Sequence, residues 1–256
     1  MKPVEINKDI CIGCGECVKD CVSEKIKLVG GKAQFMYERC IECGHCYAIC
    51  PTGAVTMTKY PDAKEEKPFD ISAFDSEKLL LAMKSRRSIR RFKKEEVDEH
   101  LIEKIIEAGR YCPTGTNAQD FSFIVMREIL PEAEKQAVKF FRTAQKAATP
   151  FSRYIKNSTI DDNFFFKGAP VAILVVSKGK TSACLASSYM ELMAANLGLG
   201  VLYSGFFVAA TKFSRKISSM LCLEKGESVV TCLVIGHPDV DYERIPPRNK
   251  AKVKRL

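Results

Sequence analysis

The sequence predicts an α+β chain of two domains, a small cysteine-bearing one followed by a larger one of mixed helix and strand. Three observations carry this. Eight of the twelve cysteines fall between Cys11 and Cys50. A charged, proline-punctuated stretch, PDAKEEKPFDISAFDS, starts at Pro61. Beyond it, helical and extended apolar patterns alternate to the end of the chain. At 256 residues there is enough chain for one full hydrophobic core and a small accessory domain. The expected boundaries are 1–59 for the first domain, 60–75 for a linker and 76–256 for the second domain.

The first domain is organised by its thiols. CIGCGECVKDC, Cys11 to Cys21, returns as CIECGHCYAIC, Cys40 to Cys50, with Cys11 on Cys40, Cys14 on Cys43, Cys17 on Cys46 and Cys21 on Cys50. This is an internal duplication of C-x2-C-x2-C-x3-C. In that pattern three closely spaced thiolates reach three corners of one iron-sulfur cube, and the fourth cysteine serves the other cube. The predicted ligand sets are Cys11, Cys14, Cys17 and Cys50 for one [4Fe-4S] cluster, and Cys40, Cys43, Cys46 and Cys21 for the second. Zinc sites pair two C-x2-C knuckles and do not call for the extra cysteines. Between the runs, KIKLVGGKAQFM predicts two short strands joined at Gly30 and Gly31, which suit a tight hairpin. His45 is expected to be a solvent-facing loop residue, since eight ligand places are already filled. Residues 1 to about 58 resemble the bacterial two-cluster ferredoxin module. Val22 follows Cys21 where a proline would complete the symmetry with Pro51, and this leaves the ligands unaffected.

Composition narrows the setting. MKPVEINKDI has no apolar h-region, and the run LGLGVLYSGFFVAA is too short and glycine-rich to span a bilayer, so a soluble chain without export signal is expected. Twelve cysteines in such a chain point to metal in a reducing cytoplasm, and not to a disulfide framework. The net charge of +9 is concentrated late, in RIPPRNKAKVKRL. Without aromatic interleaving or a helix-turn-helix pattern, that tail predicts a solvated or cofactor-facing segment and no nucleic-acid partner.

In the second domain, Asp75 or Ser76 can cap a helix through EKLLLAMKSR, and Asp98 a helix through VDEHLIEKIIEAGR. Further helices are predicted at PEAEKQAVKFFRTAQKAA and SACLASSYMELMAANLG, and strands at FSFIVM, PVAILVVS and SVVTCLVIG. No G-x-G-x-x-G follows a strand and there is no P-loop, so neither a Rossmann nor an ATP site is indicated. SRRSIRRF, Ser85 to Phe92, places four arginines around Ser88 where a helix gives out, which suits a phosphate-holding turn. CPTGTNAQDF is a polar loop whose Asn117 and Gln119 amides can read the edge of a heterocycle. The glycines of LGLGVLYSGFF allow backbone to approach a flat ring.

SRRSIRRF, PTGTNAQ, LGLGVLYSGFF and the late PPRNK occur in the order seen in the FMN-dependent nitroreductase family, and residues 76 to 256 resemble it. The resemblance implies a three-layer α/β/α domain that binds FMN. It places Arg86, Ser88 and Arg248 on the phosphate side, with Lys250 as a second contact there. Arg90 falls near the pyrimidine carbonyl and Asn117 on the ring or ribityl edge. Gly205 would offer a backbone N–H to the flavin N5, and Arg87, Pro113, Thr114 and Ser204 complete the cofactor-binding set. Asp120 stands where many members have proline and Phe121 where many have tryptophan, so the substrate-side wall differs. The family also implies an intertwined homodimer with each flavin touching both chains.

Clusters carry single electrons and flavin can release pairs. The expected activity is therefore an oxidoreductase that takes electrons from a ferredoxin or other low-potential donor through two clusters to FMN. A small organic acceptor such as a nitro compound or quinone would receive them. The alternatives are an electron-transfer or redox-sensing protein without its own substrate, or another reaction of the superfamily such as dehalogenation, ene reduction or flavin breakdown. No Ser-His-Asp or paired-carboxylate constellation is visible, and no catalytic side chain is assigned. Of the remaining cysteines, Cys184 and Cys232 lie in apolar stretches and are expected to be buried, and Cys112 lies beside the flavin loop.

Overall fold

The computed structural model describes residues 2–36, 39–60, 66–146 and 155–256. The chain divides into two compact units, Met1–Ile71 with Thr114–Ala118, and Ser72–Pro113 with Gln119–Leu256. The expected linker falls across this division, and its residues 61–65 lie outside the described residues.

In the first unit β1 (Val4–Ile6) pairs antiparallel with β4 (Val55–Met57), and β2 (Ile26–Val29) forms a hairpin with β3 (Lys32–Phe35). Gly30 and Gly31 turn the hairpin at φ 58° and 77°, the left-handed values such a turn requires. The duplication is visible in the backbone. Gly15 and Gly44, at φ 78° and 76°, open the short helices α1 (Glu16–Lys19) and α2 (His45–Ala48) in the same way. A small core of Val4, Ile26, Phe35, Val55 and Met57 closes against Cys11 and Cys17. With so little apolar surface the module depends on whatever its thiols bind.

The second unit is built on a four-stranded antiparallel sheet, β5 (Phe121–Met126), β6 (Val171–Ser177), β8 (Ser228–Gly236) and β7 (Gly200–Tyr203), in that spatial order. Every residue of β6 is buried, and its side chains divide between two cores. Val171, Ile173 and Val175 meet Ile102 and Ile105 of α4 (Glu99–Arg110) and Ala186 and Met190 of α6 (Thr181–Asn196). Ala172, Leu174 and Val176 meet Phe141 of α5 (Leu130–Lys146), Phe207 and Ala210 of α7 (Gly205–Phe213), and Ile217 of α8 (Arg215–Met220). Period-two alternation on a strand with helices on both faces is the three-layer α/β/α arrangement. Gly109 lets α4 pack tightly on α6, for a Cβ there would stand 2.8 Å from Met190 Cγ.

The expected strands and long helices are present, with ends shifted by a residue or two. Residues 147 and 148, the last of the expected helix through PEAEKQAVKFFRTAQKAA, lie outside the described residues. Asp75 caps α3 (Ser76–Ser85), its Oδ1 accepting from Glu77 N at 3.0 Å and Lys78 N at 3.1 Å. One strand was not expected and one reading is corrected. LGLGVLYSGFF, read for its glycines alone, forms β7 and the start of α7, because Gly200 to Tyr203 pair with β8. Cys184 is exposed, because α6 turns the stripe of Ala183, Ala186, Met190 and Ala194 inward and Cys184 falls off it; Cys232 is buried as expected. No helix among the described residues is long and apolar enough to cross a membrane.

Candidate functional site

The first unit contains two cysteine-lined recesses. One is lined by Cys11, Cys14, Cys17 and Cys50. The other is lined by Cys21, Cys40, Cys43 and Cys46. The fourth cysteine of each run thus lines the recess of the other run. Four thiols around each recess match the four iron corners of a [4Fe-4S] cube.

The surroundings of the thiols agree with this fit. Backbone N–H groups donate to sulfur at Ala33 N to Cys11 Sγ (3.5 Å), Lys25 N to Cys21 Sγ (3.3 Å), Glu42 N to Cys40 Sγ (3.3 Å) and Ala54 N to Cys50 Sγ (3.2 Å). Such bonds stabilise thiolate and tune a cluster's potential. Burial and the neighbouring Cys11, Cys14 and Cys50 raise the pKa of Cys17. Burial likewise pushes Cys46 up to about 11, with Cys40, Cys43 and Cys21 adding to it. Burial also acts upward on Cys50, but hydrogen bonds from Thr52, Ala54 and Val55 outweigh it and hold that thiol low. Burial thus makes the thiolates of Cys17 and Cys46 costly on their own, and bonding to iron would offset that cost. His45 opens α2 with its side chain exposed, Nδ1 3.2 Å from Asp20 Oδ2.

In the second unit the arginine-rich segment lies beside β7. Ser88 bridges Val201 in parallel, Ile89 N donates to Val201 O at 2.9 Å, and Gly200 leaves room for the Ile89 side chain, which a Cβ would approach to 2.6 Å. Phe92 bridges Pro238, and Arg91 donates from Nε and Nη2 to Asp239 O at 3.0 and 2.7 Å. The strand continues directly into Ser204, whose backbone N–H donates to Cys232 O at 2.9 Å, and then into the exposed start of α7. A Cβ built on Gly205 would meet nothing within 4 Å, so the backbone there is open to a flat ligand.

Two half-buried or buried side chains join these segments. Arg86 Nη1 donates to Glu191 Oε1 of α6, and Tyr203 OH donates to Ser187 O at 2.9 Å. Burial raises the Glu191 pKa against the pull of Arg86, and burial with the nearby Glu191 charge raises that of Tyr203. Sequence reasoning missed Glu191, although a lone acid on the apolar face of SYMELMAANLG was the available signal.

Of the predicted residues, the structure thus brings Arg86, Arg87 and Ser88 to the edge that leads into Ser204 and Gly205. Arg90, Arg248 and Lys250 are exposed, the last two outside any helix or strand. Pro113 is exposed, and Thr114 and Asn117 belong to the first unit. Asn117 Nδ2 donates there to Glu42 O at 2.8 Å and Ile41 O at 3.2 Å. Cys112 is buried with its Sγ 3.7 Å from Ser182 O, and burial raises its pKa.

Comparison with known proteins agrees with both halves. Residues 83–237 match the nitroreductase family and residues 3–51 match the 4Fe-4S dicluster domain. A ferredoxin of Pyrobaculum islandicum is 37% identical over 67 residues, which are 25% of this chain and 63% of the ferredoxin. A protein of Methanothermobacter thermautotrophicus, provisionally named an NADH dehydrogenase/NAD(P)H nitroreductase, is 29% identical over 143 residues. That match covers 50% of this chain and 61% of the relative, so the chain spans just under two thirds of both curated proteins. Among solved structures, a nitroreductase with bound FMN from Bacteroides fragilis aligns with a TM-score of 0.57 at 18% identity. It covers 71% of this chain and all of the nitroreductase, and at that identity the likeness is one of fold.

Proposed function

Since this chain belongs to the nitroreductase family and carries a 4Fe-4S dicluster domain ahead of it, we propose that it is an FMN-dependent oxidoreductase supplied with electrons through two [4Fe-4S] clusters. The observation that supports the reading most is the pairing of two features in one chain: two cysteine-lined recesses, and an arginine-rich edge running into the open backbone at Gly205. Bound at that edge, FMN supplies the conversion between single electrons and electron pairs that clusters alone lack.

The residues then have separable tasks. Arg86, Arg87 and Ser88 offer forked and hydroxyl donors to a phosphate, with Arg248 and Lys250 reaching it from the tail. Arg90 places positive charge at the pyrimidine side, where it raises the ring's affinity for electrons. Ser204 fixes the start of α7, so that the Gly205 N–H is presented at a set angle, and Pro113 borders the ring. The acceptor is a small organic molecule such as a nitro compound or quinone, and the donor is a ferredoxin or a similar low-potential protein.

The same domain forms a homodimer in this reading. Along α6, Cys184, Leu185, Ser188, Tyr189, Ala195 and Asn196 share one exposed face, and α3 exposes Leu79, Leu80, Leu81 and Met83. Apolar surface of that extent on two helices calls for a partner, and a second copy supplies it symmetrically.

The test is an anaerobic inventory of the purified protein. About eight iron, eight sulfide and one FMN per chain, with multiple turnover of a nitro compound or quinone under a chemical reductant, is the expected result. Full iron with no retained or rebindable flavin would transfer the protein to the electron-carrier class. About two zinc per chain would overturn the cluster assignment.

A further inference from the structure

The two ligand loops repeat each other except at one position that matters to the backbone. Gly13 of the first loop becomes Glu42 in the second, and both adopt the left-handed conformation, at φ 70° and 53°. Glycine takes that conformation freely, whereas a side chain crowds the following carbonyl. The second loop therefore carries a backbone cost that its twin does not, and contacts must offset it.

Such contacts come from Thr114–Ala118, a segment of the same compact unit. Asn117 Nδ2 donates to Glu42 O at 2.8 Å and to Ile41 O at 3.2 Å, so the two carbonyls between Cys40 and Cys43 take both amide hydrogens. Glu42 is held at its other end too, by Lys59 Nζ at 3.1 Å from Oε2, while its own N–H donates to Cys40 Sγ at 3.3 Å. The first loop is secured differently, by Lys32 Nζ donating to Cys11 O from the hairpin. Thr116 and Asn117 themselves sit at φ 51° and 55°, a costly conformation that persists only where contacts enforce it.

We propose that Asn117 is a positioning residue for the second cluster. Its amide clamps the Ile41 and Glu42 carbonyls, and so fixes the backbone that aims the Cys40 and Cys43 thiolates into the recess shared with Cys46 and Cys21. This assigns Asn117 differently from the ring-edge role that family resemblance implies, since an amide with both hydrogens on main-chain carbonyls has none left for a heterocycle. The assignment rests on the cluster reading above.

The test compares wild type with Asn117→Ala and Asn117→Asp, purified anaerobically as full chains. Iron per chain, flavin per chain and the electron paramagnetic resonance of the reduced protein are measured. Wild type is expected to show the spin-coupled signal of two reduced clusters. Both variants are expected to fall from about eight toward four iron, to show the signal of a single cluster, and to keep their flavin. Adding Glu42→Gly to Asn117→Ala relieves the strained backbone and is expected to restore the coupled signal. Wild-type iron and resonance with flavin lost would overturn the proposal, and so would an equal loss of both clusters that Glu42→Gly does not repair. Wild type without iron would overturn the cluster reading itself, before any variant is compared.

Discussion

Arg86 and Glu191 form an ion pair across 105 residues of chain, with the Glu191 side chain 8% exposed and that of Arg86 27% exposed. The pair ties the end of α3 to the middle of α6, next to the strand that leads into Gly205. One arm of the guanidinium is thereby committed, and its remaining donors are held in a fixed plane. Fixing a donor before a ligand arrives removes part of the ordering cost of binding.

Glu191→Ala should consequently act on both stability and cofactor retention. Removing one partner of a largely buried pair leaves an uncompensated charge, which costs about 3 kcal/mol. Glu191→Gln keeps an acceptor for Arg86 and should recover most of that loss. Thermal unfolding, read beside the flavin released on dilution, checks it. Flavin loss about tenfold greater in the alanine variant than in the glutamine variant is expected, and equal retention in both would remove Arg86 from the phosphate side.

The first cluster loop offers a steric prediction. A Cβ on Gly13 would lie 2.0 Å from the Gly31 carbonyl oxygen, which is backbone and cannot rotate away, whereas a Cβ on Gly31 would meet nothing within 4 Å. Both glycines are left-handed, so both alanine variants carry the conformational cost of about 1 kcal/mol. Only Gly13→Ala must also displace the hairpin tip. It should lose about four iron per chain from the site of Cys11, Cys14, Cys17 and Cys50, and Gly31→Ala should keep them. Iron analysis of the two purified variants decides between these outcomes.

These cases show why some of the protein was legible in its sequence and some was not. The duplicated cysteines, the Gly30-Gly31 hairpin and the Asp75 cap are local patterns, and each appears where its spacing predicts. β6 was legible because seven consecutive buried residues leave a continuous apolar run. The pairing of Glu191 with Arg86, and of Asn117 with Ile41 and Glu42, joins residues 105, 76 and 75 positions apart, and no local period encodes them. β7 was missed because its glycines suggested room for a ring. Gly200 instead makes room for Ile89.

Glu134 gives a prediction about pH. It is 7% exposed on α5 and accepts from Phe165 N and Phe166 N, each at 2.8 Å. Burial raises its pKa, and those two bonds with Lys167 oppose the rise without cancelling it. A folded-state pKa above the unfolded one means that the fold binds the proton more tightly. Its contribution is therefore complete below the usual carboxylate range, and declines as pH rises from there through the raised value. Glu134→Gln should flatten that part of the stability profile. It should also cost about 1–3 kcal/mol at all pH values, because an amide oxygen can replace only one of the two acceptors. Denaturant midpoints of both proteins across this range, above the pH at which acid attacks the clusters, provide the check; parallel profiles would mean that another group carries the dependence.

The exposed cysteines report on the dimer. Cys184 lies on the same outward face of α6 as Leu185 and Tyr189, and Cys222 is exposed after α8. If two copies meet along α6, a thiol reagent should modify Cys222 readily and Cys184 slowly, with Cys112 and Cys232 protected by burial in either state. Leu185→Asp places a charge in the proposed interface and should shift the protein toward monomer in sedimentation. The same change should raise the Cys184 labelling rate at least tenfold. Rapid labelling of Cys184 in the unaltered protein, with no change in sedimentation for Leu185→Asp, would move the interface away from this face. The exposed leucines of α3 would then be the next surface to alter.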